Sequence, residues 1–524
     1  MRWMLVLATA VGLGATLSPG ATITVRAGDD LQRALNDAKP GDTIVLERAA
    51  TFTGNFVLPA HAGEGAITVR TSGDEGLPRE GEAITPEAAS VLAKLRSPNG
   101  SPALGTRPGA RGWRLTLLEF QANRGGAGEI VALGDGSSAQ KTLEQVPSDL
   151  MLDRLYIHGD PERGQKRGIA LNSAATTIRG CYISDIKAVG QDSQAIGGWN
   201  GPGPYVIEGN NLQAAGENIM FGGADPSIPD LVPTDITIRD NTISKPLEWR
   251  APSPNPGGSS PGKPWQVKNL FELKNARKVL VERNAMERTW QQAQTGYAVL
   301  FTVRNQDGRC AWCQVEDVEF RANIVRDVAA GIQILGSDPN HPSRETNRIV
   351  VRDNLFDGID RKAWGGDGYF LLLSDSPRDI TIDHNTIVQK ASGGIIKIAH
   401  GTTPGLTLTN NVMLHGDYGI IGRDHGIGQD SIATYLPGAT IAKNVIAGGK
   451  ASAYPAGNFF PSIDAFRRAF VAFEKGDYRL APGGDWHGAG TDRKDLGADL
   501  TRLPARPASS PSASGSNPSS RDGR

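Results

Sequence analysis

The chain has 524 residues, 39% of them hydrophobic and 6% aromatic, with 65 glycines and a formal net charge of −1. Near-neutral charge excludes a nucleic-acid binder working through bulk positive charge and leaves open only a local basic groove. Abundant glycine with moderate apolar content suits many short strands joined by tight turns.

The first residues, MRWMLVLATAVGLGATLSPGA, carry one arginine, an apolar run from Trp3 to about Ala15, and then small residues. That layout predicts a signal peptide over residues 1–21, cleaved near Gly20 or Ala21, with a run too short for a membrane span. A buried N-terminal strand or helix is the alternative. No later segment is apolar for long enough to cross a bilayer, so the protein is expected to be secreted or periplasmic.

Within residues 22–60, Leu31, Ala34, Leu35 and Ala38 share one helical face, and Pro40 with Gly41 ends that helix before a strand at Thr43 to Leu46. From residue 61 to residue 457 a short pattern returns: apolar, any, apolar, two residues, Asn, any, apolar. Its copies are YVIEGNNL, ITIRDNTI, VLVERNAM, VEFRANIV, IVVRDNLF, ITIDHNTI, LTLTNNVM and ATIAKNVI. They place Asn210, Asn241, Asn284, Asn323, Asn354, Asn385, Asn411 and Asn444 at one position, between 26 and 43 residues apart. Two earlier copies, LMLDRLYI and TTIRGCYI, put Leu155 and Cys181 there. A period in this range marks a solenoid, and the alternation inside each copy is a strand signal. The expected fold is therefore all-β: a right-handed parallel β-helix of stacked three-strand coils, with its open end covered by the N-terminal helix. Asn tolerates the left-handed backbone of a tight bend, and stacked amides would bond as a ladder.

Two insertions interrupt the repeat, Trp249 to Trp265 and Thr289 to Cys313. Cys310 and Cys313 form a lone C-x-x-C in an expected surface loop; structural zinc wants four ligands, so a local disulfide is favoured. Cys181 is expected to be a small buried residue.

The chemistry is expected on the strand that follows the Asn bend and its turn. In KNLFELKNA, Phe271 and Leu273 point inward, which leaves Glu272 and Lys274 outside. In AVLFTVRNQDG, Val299, Phe301 and Val303 point inward, leaving Thr302 and Arg304 outside. Aligning the apolar positions sets Lys274 beside Arg304, with Gly222 and Gly223 leaving open space next to Lys274. Gln333, Ser374, Asp375, Lys397 with His400, and Arg423 with Asp424 and His425 continue the row. Ordinary solvated charge is the alternative for Lys274 and Arg304, and on that alternation neither should matter much for stability. Trp249, Trp265, Trp290, Trp312 and Trp364 lie in insertions that would wall a groove, with Trp265 and Trp290 as sugar platforms; pinning their own loops is the alternative. His384, His400 and His425 read first as turn residues.

LQRALNDAKPGDTIVL resembles the N-terminal cap of the pectate-lyase-like β-helix superfamily, including the chondroitinase B and alginate lyase group, and cap plus repeats carry the resemblance over residues 22–457. The resemblance implies Lys274 as base, Arg304 as its partner, and Glu272 with Glu217 or Asp225 near a calcium ion. This chain departs from the group in its Glu-to-Lys spacing and in Asn305-Gln306 after Arg304, where the group has His-Gly. It implies a lyase of uronate-containing polysaccharide; from the outward row, Gln333, Lys397, His400 and Arg423 are the expected substrate contacts, and the protein is expected to be a monomer. The alternatives are a non-catalytic carbohydrate-binding protein and a glycoside hydrolase with paired carboxylates.

Residues 458–500 are expected to cap the far end, with a helix from Ile463 to Phe473. DYRLAPGGDWHGAGTDRKDLGADL resembles the closing segment of exported bacterial β-helix proteins. Residues 501–524 are Pro/Ser-rich and predicted disordered.

Overall fold

The computed structural model describes residues 20–254 and 262–504. Apart from Gly20, Ala21 and residues 501–504, the predicted signal peptide and tail lie outside them. Among the described residues, three parallel sheets of 14, 13 and 12 strands wind up the molecule, one strand of each per coil. This is a right-handed parallel β-helix. No helix among the described residues is long and apolar enough to cross a membrane.

The period-2 pattern sets which side chains enter the coil. On the 14-stranded sheet, Ile238, Val281, Phe320, Val351 and Ile382 stand in register one above the next and are fully buried. Their neighbours Arg239, Glu282, Arg321, Arg352 and Asp383 form the matching outward row, laced by ion pairs such as Arg321–Glu282 at 2.8 Å.

The asparagines form the expected ladder at the corner that follows. Each donates its backbone N–H and its Nδ2 to Oδ1 of the next, from Asn210 through Asn444. Asn458, which the repeat pattern did not show, ends the ladder. Cys181 donates its backbone N–H to Asn210, and Leu155 donates its own to the Cys181 sulfur, so the earlier copies join the same column. The left-handed residue is not the asparagine but the one before it: Asp240, Arg283, Ala322, Asp353, His384, Asn410 and Lys443 all have φ between 51° and 60°. The preceding residue turns the chain, which frees the asparagine side chain to point inward.

At the N-terminal end the Leu31–Asp37 helix, capped by Asp30, buries Leu31 and Leu35 against the first coils. At the other end Ile432 and Leu436, from the Gln429–Tyr435 helix and its cap, enter the core with Tyr454. The later segment lies along the side instead. Phe466, Phe470, Tyr478, Trp486 and Leu496 cover Leu355, Val388, Val412 and Val445, the outward apolar residues of the 13-stranded sheet.

Candidate functional site

The 12-stranded sheet carries the buried carboxylates Glu217 and Glu272. Its register sets Met220, Glu272, Leu300, Gln333, Leu372 and Lys397 in one outward row. Beside it run Glu129, Arg167, Gln194 and Glu217. Phe271, Leu273, Val299 and Phe301 fill the coil beneath, so the alternating residues are turned outward.

Glu272 Oε1 lies 2.7 Å from Lys274 Nζ and accepts the Thr302 hydroxyl at 3.1 Å, while Oε2 accepts from Asn269 Nδ2 at 2.9 Å. Glu217 Oε2 accepts from Gln194 at 2.9 Å, and its Oε1 faces Lys268 Nζ at 3.3 Å. Lys268 also holds Asp192 at 2.6 Å. Both glutamates are sealed off, at 0% and 1% exposure, whereas the Lys268 and Lys274 side chains each keep 16%. Burial, with repulsion from Glu272 and Asp192, pushes the Glu217 carboxyl up to about 7. Burial raises Glu272 too, but the Lys274 ammonium and Asn269 outweigh it and hold that carboxyl below its ordinary value. Lys268 goes the other way: desolvation is outweighed by Glu217 and Asp192, and its ammonium is held more tightly than usual.

Behind this row lies Lys245, fully buried. Its ammonium donates to the carbonyls of Ala214, Ala215, Gly216 and Asn269 and to Asn218 Oδ1, all within 3.1 Å. It ties the turns that lead into the strands of Glu217 and Glu272. Burial pushes its own ammonium down to about 7.

Several expectations need correction. Lys274 and Arg304 are joined through the backbone, Arg304 N–H to Lys274 carbonyl at 2.9 Å, but their side chains pair separately, Arg304 with Asp338 at 3.0 Å. Leu273 pairs with Phe301, so the expected alignment was two residues out; that error preserves the outward face and changes the neighbour. There is no open space at Gly222, where a Cβ would lie 2.7 Å from Asn275 N and 2.9 Å from Lys274 Cβ. Lys274 is not a freely solvated charge, since removing it strips the buried Glu272 of its counter-ion.

The calcium set does not assemble. Asp225 Oδ2 accepts from the backbone of Asp307 and Arg309 and so organises the loop of the Cys310–Cys313 disulfide. Among the described residues no group of three or more His, Cys, Asp or Glu is placed to hold a metal. The two glutamates are met by ammonium, amide and hydroxyl donors, which is not a metal cradle. The two cysteines are bonded as expected but buried, not on the surface.

No protein-family model matches the chain, and no curated protein matches it. Solved structures do. The polysaccharide lyase family 6 alginate lyase AlyGC is 13% identical with a TM-score of 0.56, over 93% of this chain and 58% of that one. A mannuronic-acid-specific polysaccharide family 6 lyase from human gut microbiota is 13% identical with a TM-score of 0.50, over 82% and 87%. What these structures share with the chain is the fold, a right-handed parallel β-helix.

On this β-helix, Gln333 and Lys397 stand in the same row as Glu272, and Lys397 pairs with Asp367 at 3.1 Å, which also accepts the Tyr297 hydroxyl. Lys397 lies four coils from Glu272, roughly 20 Å at about 4.8 Å per coil. His400 and Arg423 are exposed at the far end of the sheet, and the Arg423 guanidinium lies 3.6 Å from Asp424. Trp265 and Trp290 are not open platforms. With Trp249 they are buried against Ala215 and Val267, and Lys187 lies 5.1 Å over the rings of Trp249 and Trp265. They pin the insertions.

Sequence reasoning missed Lys268, Asp192 and Lys245. Lys268 precedes the strand Phe271–Leu273, and Leu270 between them turns into the core, so the outward alternation breaks before it reaches Lys268. Asp192 and Lys245 carry no periodic signal, because a loop and an isolated buried position deliver them.

Proposed function

We propose that this β-helix binds an acidic, uronate-containing polysaccharide along its 12-stranded sheet and cleaves it by β-elimination at Lys274. One observation carries the reading: the Lys268 and Lys274 side chains reach solvent while the Glu217 and Glu272 carboxylates beneath them are sealed off, and the more open carboxylate of Asp192 is held by Lys268. A surface of Lys268, Lys274 and Arg304 receives a sugar carboxylate and stabilises the charge that builds on it as the neighbouring carbon loses its proton. A glycoside hydrolase needs two carboxyl groups flanking the bond, and Glu217 and Glu272 are too deeply covered for that.

In the proposed step, neutral Lys274 takes the proton α to the sugar carboxylate. The released electron pair forms the carbon–carbon double bond and expels the glycosidic oxygen, to which Lys274 returns the proton. Glu272, at 2.7 Å, orients the amine. We propose that the reaction runs outside the cytoplasm, a reading supported by the leader-like composition of residues 1–21.

The test is ultraviolet absorbance of newly formed unsaturated uronate on alginate, pectin and glycosaminoglycans. Lys274→Arg keeps a cation for Glu272 but cannot deprotonate, so it should remain folded and lose about 10²–10⁴-fold in rate. Full activity in that variant rules Lys274 out as base. New reducing ends without the absorbance would identify a hydrolase, and binding without product would identify a carbohydrate-binding protein.

A further inference from the structure

The resemblance to calcium-using lyases and the donor set of this site disagree, and the disagreement has a specific cause. Asp192 and Glu217 meet at one ammonium, Lys268 Nζ, at 2.6 and 3.3 Å, and Glu272 lies near enough to Glu217 to repel its charge. Their oxygens are already engaged. Asp192 Oδ2 holds Lys268 and its Oδ1 accepts from Gln266. Both Glu272 oxygens and Glu217 Oε2 accept from side-chain donors. Two buried acceptors make no hydrogen bond, Glu217 Oε1 and Asn269 Oδ1, and the first of these faces the Lys268 ammonium at 3.3 Å. Calcium takes about 6–8 oxygens, so two free ones do not build its site.

We infer that Lys268 is the resident cation of this site, standing electrostatically where a divalent ion would otherwise be required, so that the protein engages carboxylated sugars without metal. The backbone fixes it there: Lys268 N–H donates to the Ala215 carbonyl in the Glu217 coil, and its own carbonyl accepts the Thr289 hydroxyl. The stem therefore starts from a defined point between the two coils. The Lys268 side chain keeps 16% exposure, which leaves it open to a substrate carboxylate while it neutralises Asp192 and Glu217. This assignment stands on the geometry; only its consequence for turnover rests on the lyase reading.

Calorimetric titration of calcium chloride into the EDTA-treated full chain at alkaline pH tests it directly. Wild type and Lys268→Arg should take up no calcium at about 1 mM, the weak end of protein calcium sites. Lys268→Met should gain a single site at least about tenfold tighter than any wild-type uptake, because the carboxylates are left without their cation. Stoichiometric calcium uptake by wild type would overturn the inference. So would a Lys268→Met or Lys268→Gln protein that keeps its circular dichroism spectrum and titrates like wild type. If both removal variants fail to fold, the wild-type and Lys268→Arg titrations still decide, with calcium uptake by either counting against the inference. None of these readouts needs turnover, so failure of the lyase reading and failure of this one are separable. Where turnover is found, EDTA should leave it unchanged.

Discussion

Inside the coils, asparagines from Asn210 to Asn458 stack in a column in which each amide meets an identical partner one coil away. Outside, on the 12-stranded sheet, Gln194, Glu217, Lys268, Glu272 and Lys274 pair with unlike partners drawn from different coils and loops. Both are buried polar arrays, and both obey the rule that buried polar groups need partners. They differ in redundancy. The ladder is neutral, and each rung repeats the last. In the charged row each residue has a unique role, and an unpaired charge is far more costly to bury than an unpaired amide.

That contrast can be broken most sharply at Lys245. Replacing it with Met leaves the carbonyls of Ala214, Ala215, Gly216 and Asn269 and the Asn218 amide oxygen without their shared donor. Urea denaturation should show a loss of about 3–5 kcal/mol, the scale for breaking a buried charged network. A loss comparable to that of a ladder variant would show that the site side is no less redundant than the ladder. Asn354→Ala, in mid-ladder, should lose roughly 1–3 kcal/mol, since Asn323 and the Phe320 carbonyl lose their partners. Asn458→Ala, at the partly exposed end, should lose less. Equal effects at the two positions would mean that the amides contribute one by one and not as a stack.

The same contrast explains what the sequence made legible. A column of identical residues is periodic, so the ladder, the coil fold and the alternation of Phe271, Leu273, Val299 and Phe301 were all readable. The errors came where periodicity lapses. The strand at Phe271–Leu273 is short and its partner at Tyr297–Thr302 longer, so the apolar pattern fits two registers, and the one that sets Lys274 level with Arg304 is two residues from the one formed. The tryptophans were read by what aromatic faces can do, but only packing shows that Trp265 and Trp290 are spent on their own insertions. The resemblance implies Glu217 and Glu272 as metal ligands; in the structure they face Lys268, which lies just before the strand, and Lys274, which follows Glu272 by two residues. Likewise, the bend was assigned to the asparagines because they recur, while the left-handed φ belongs to the variable residue before each one.

The finest test of the contrast is pH, because a neutral ladder has nothing to titrate. The Glu217 carboxyl is raised from 4.5 to about 7, first by burial and then by Glu272 and Asp192. A carboxyl raised on folding binds its proton more tightly in the native state. Its stabilising contribution is thus complete below about pH 4.5 and is lost as pH rises through about 7. Over that window Glu217 should remove about 1 kcal/mol of stability per pH unit. Glu217→Gln carries a permanently neutral analogue of the protonated form and should lack this component. Subtracting the variant's urea stability from that of wild type, pH by pH, isolates it from every other titrating group. The difference should favour wild type most at the acidic end, fall across the window and level off above it. Asn354→Ala, treated the same way, should give a flat difference. Parallel wild-type and Glu217→Gln profiles would show that Lys268 and Lys245 compensate Glu217 fully, and that the charged row is as electrically quiet as the ladder.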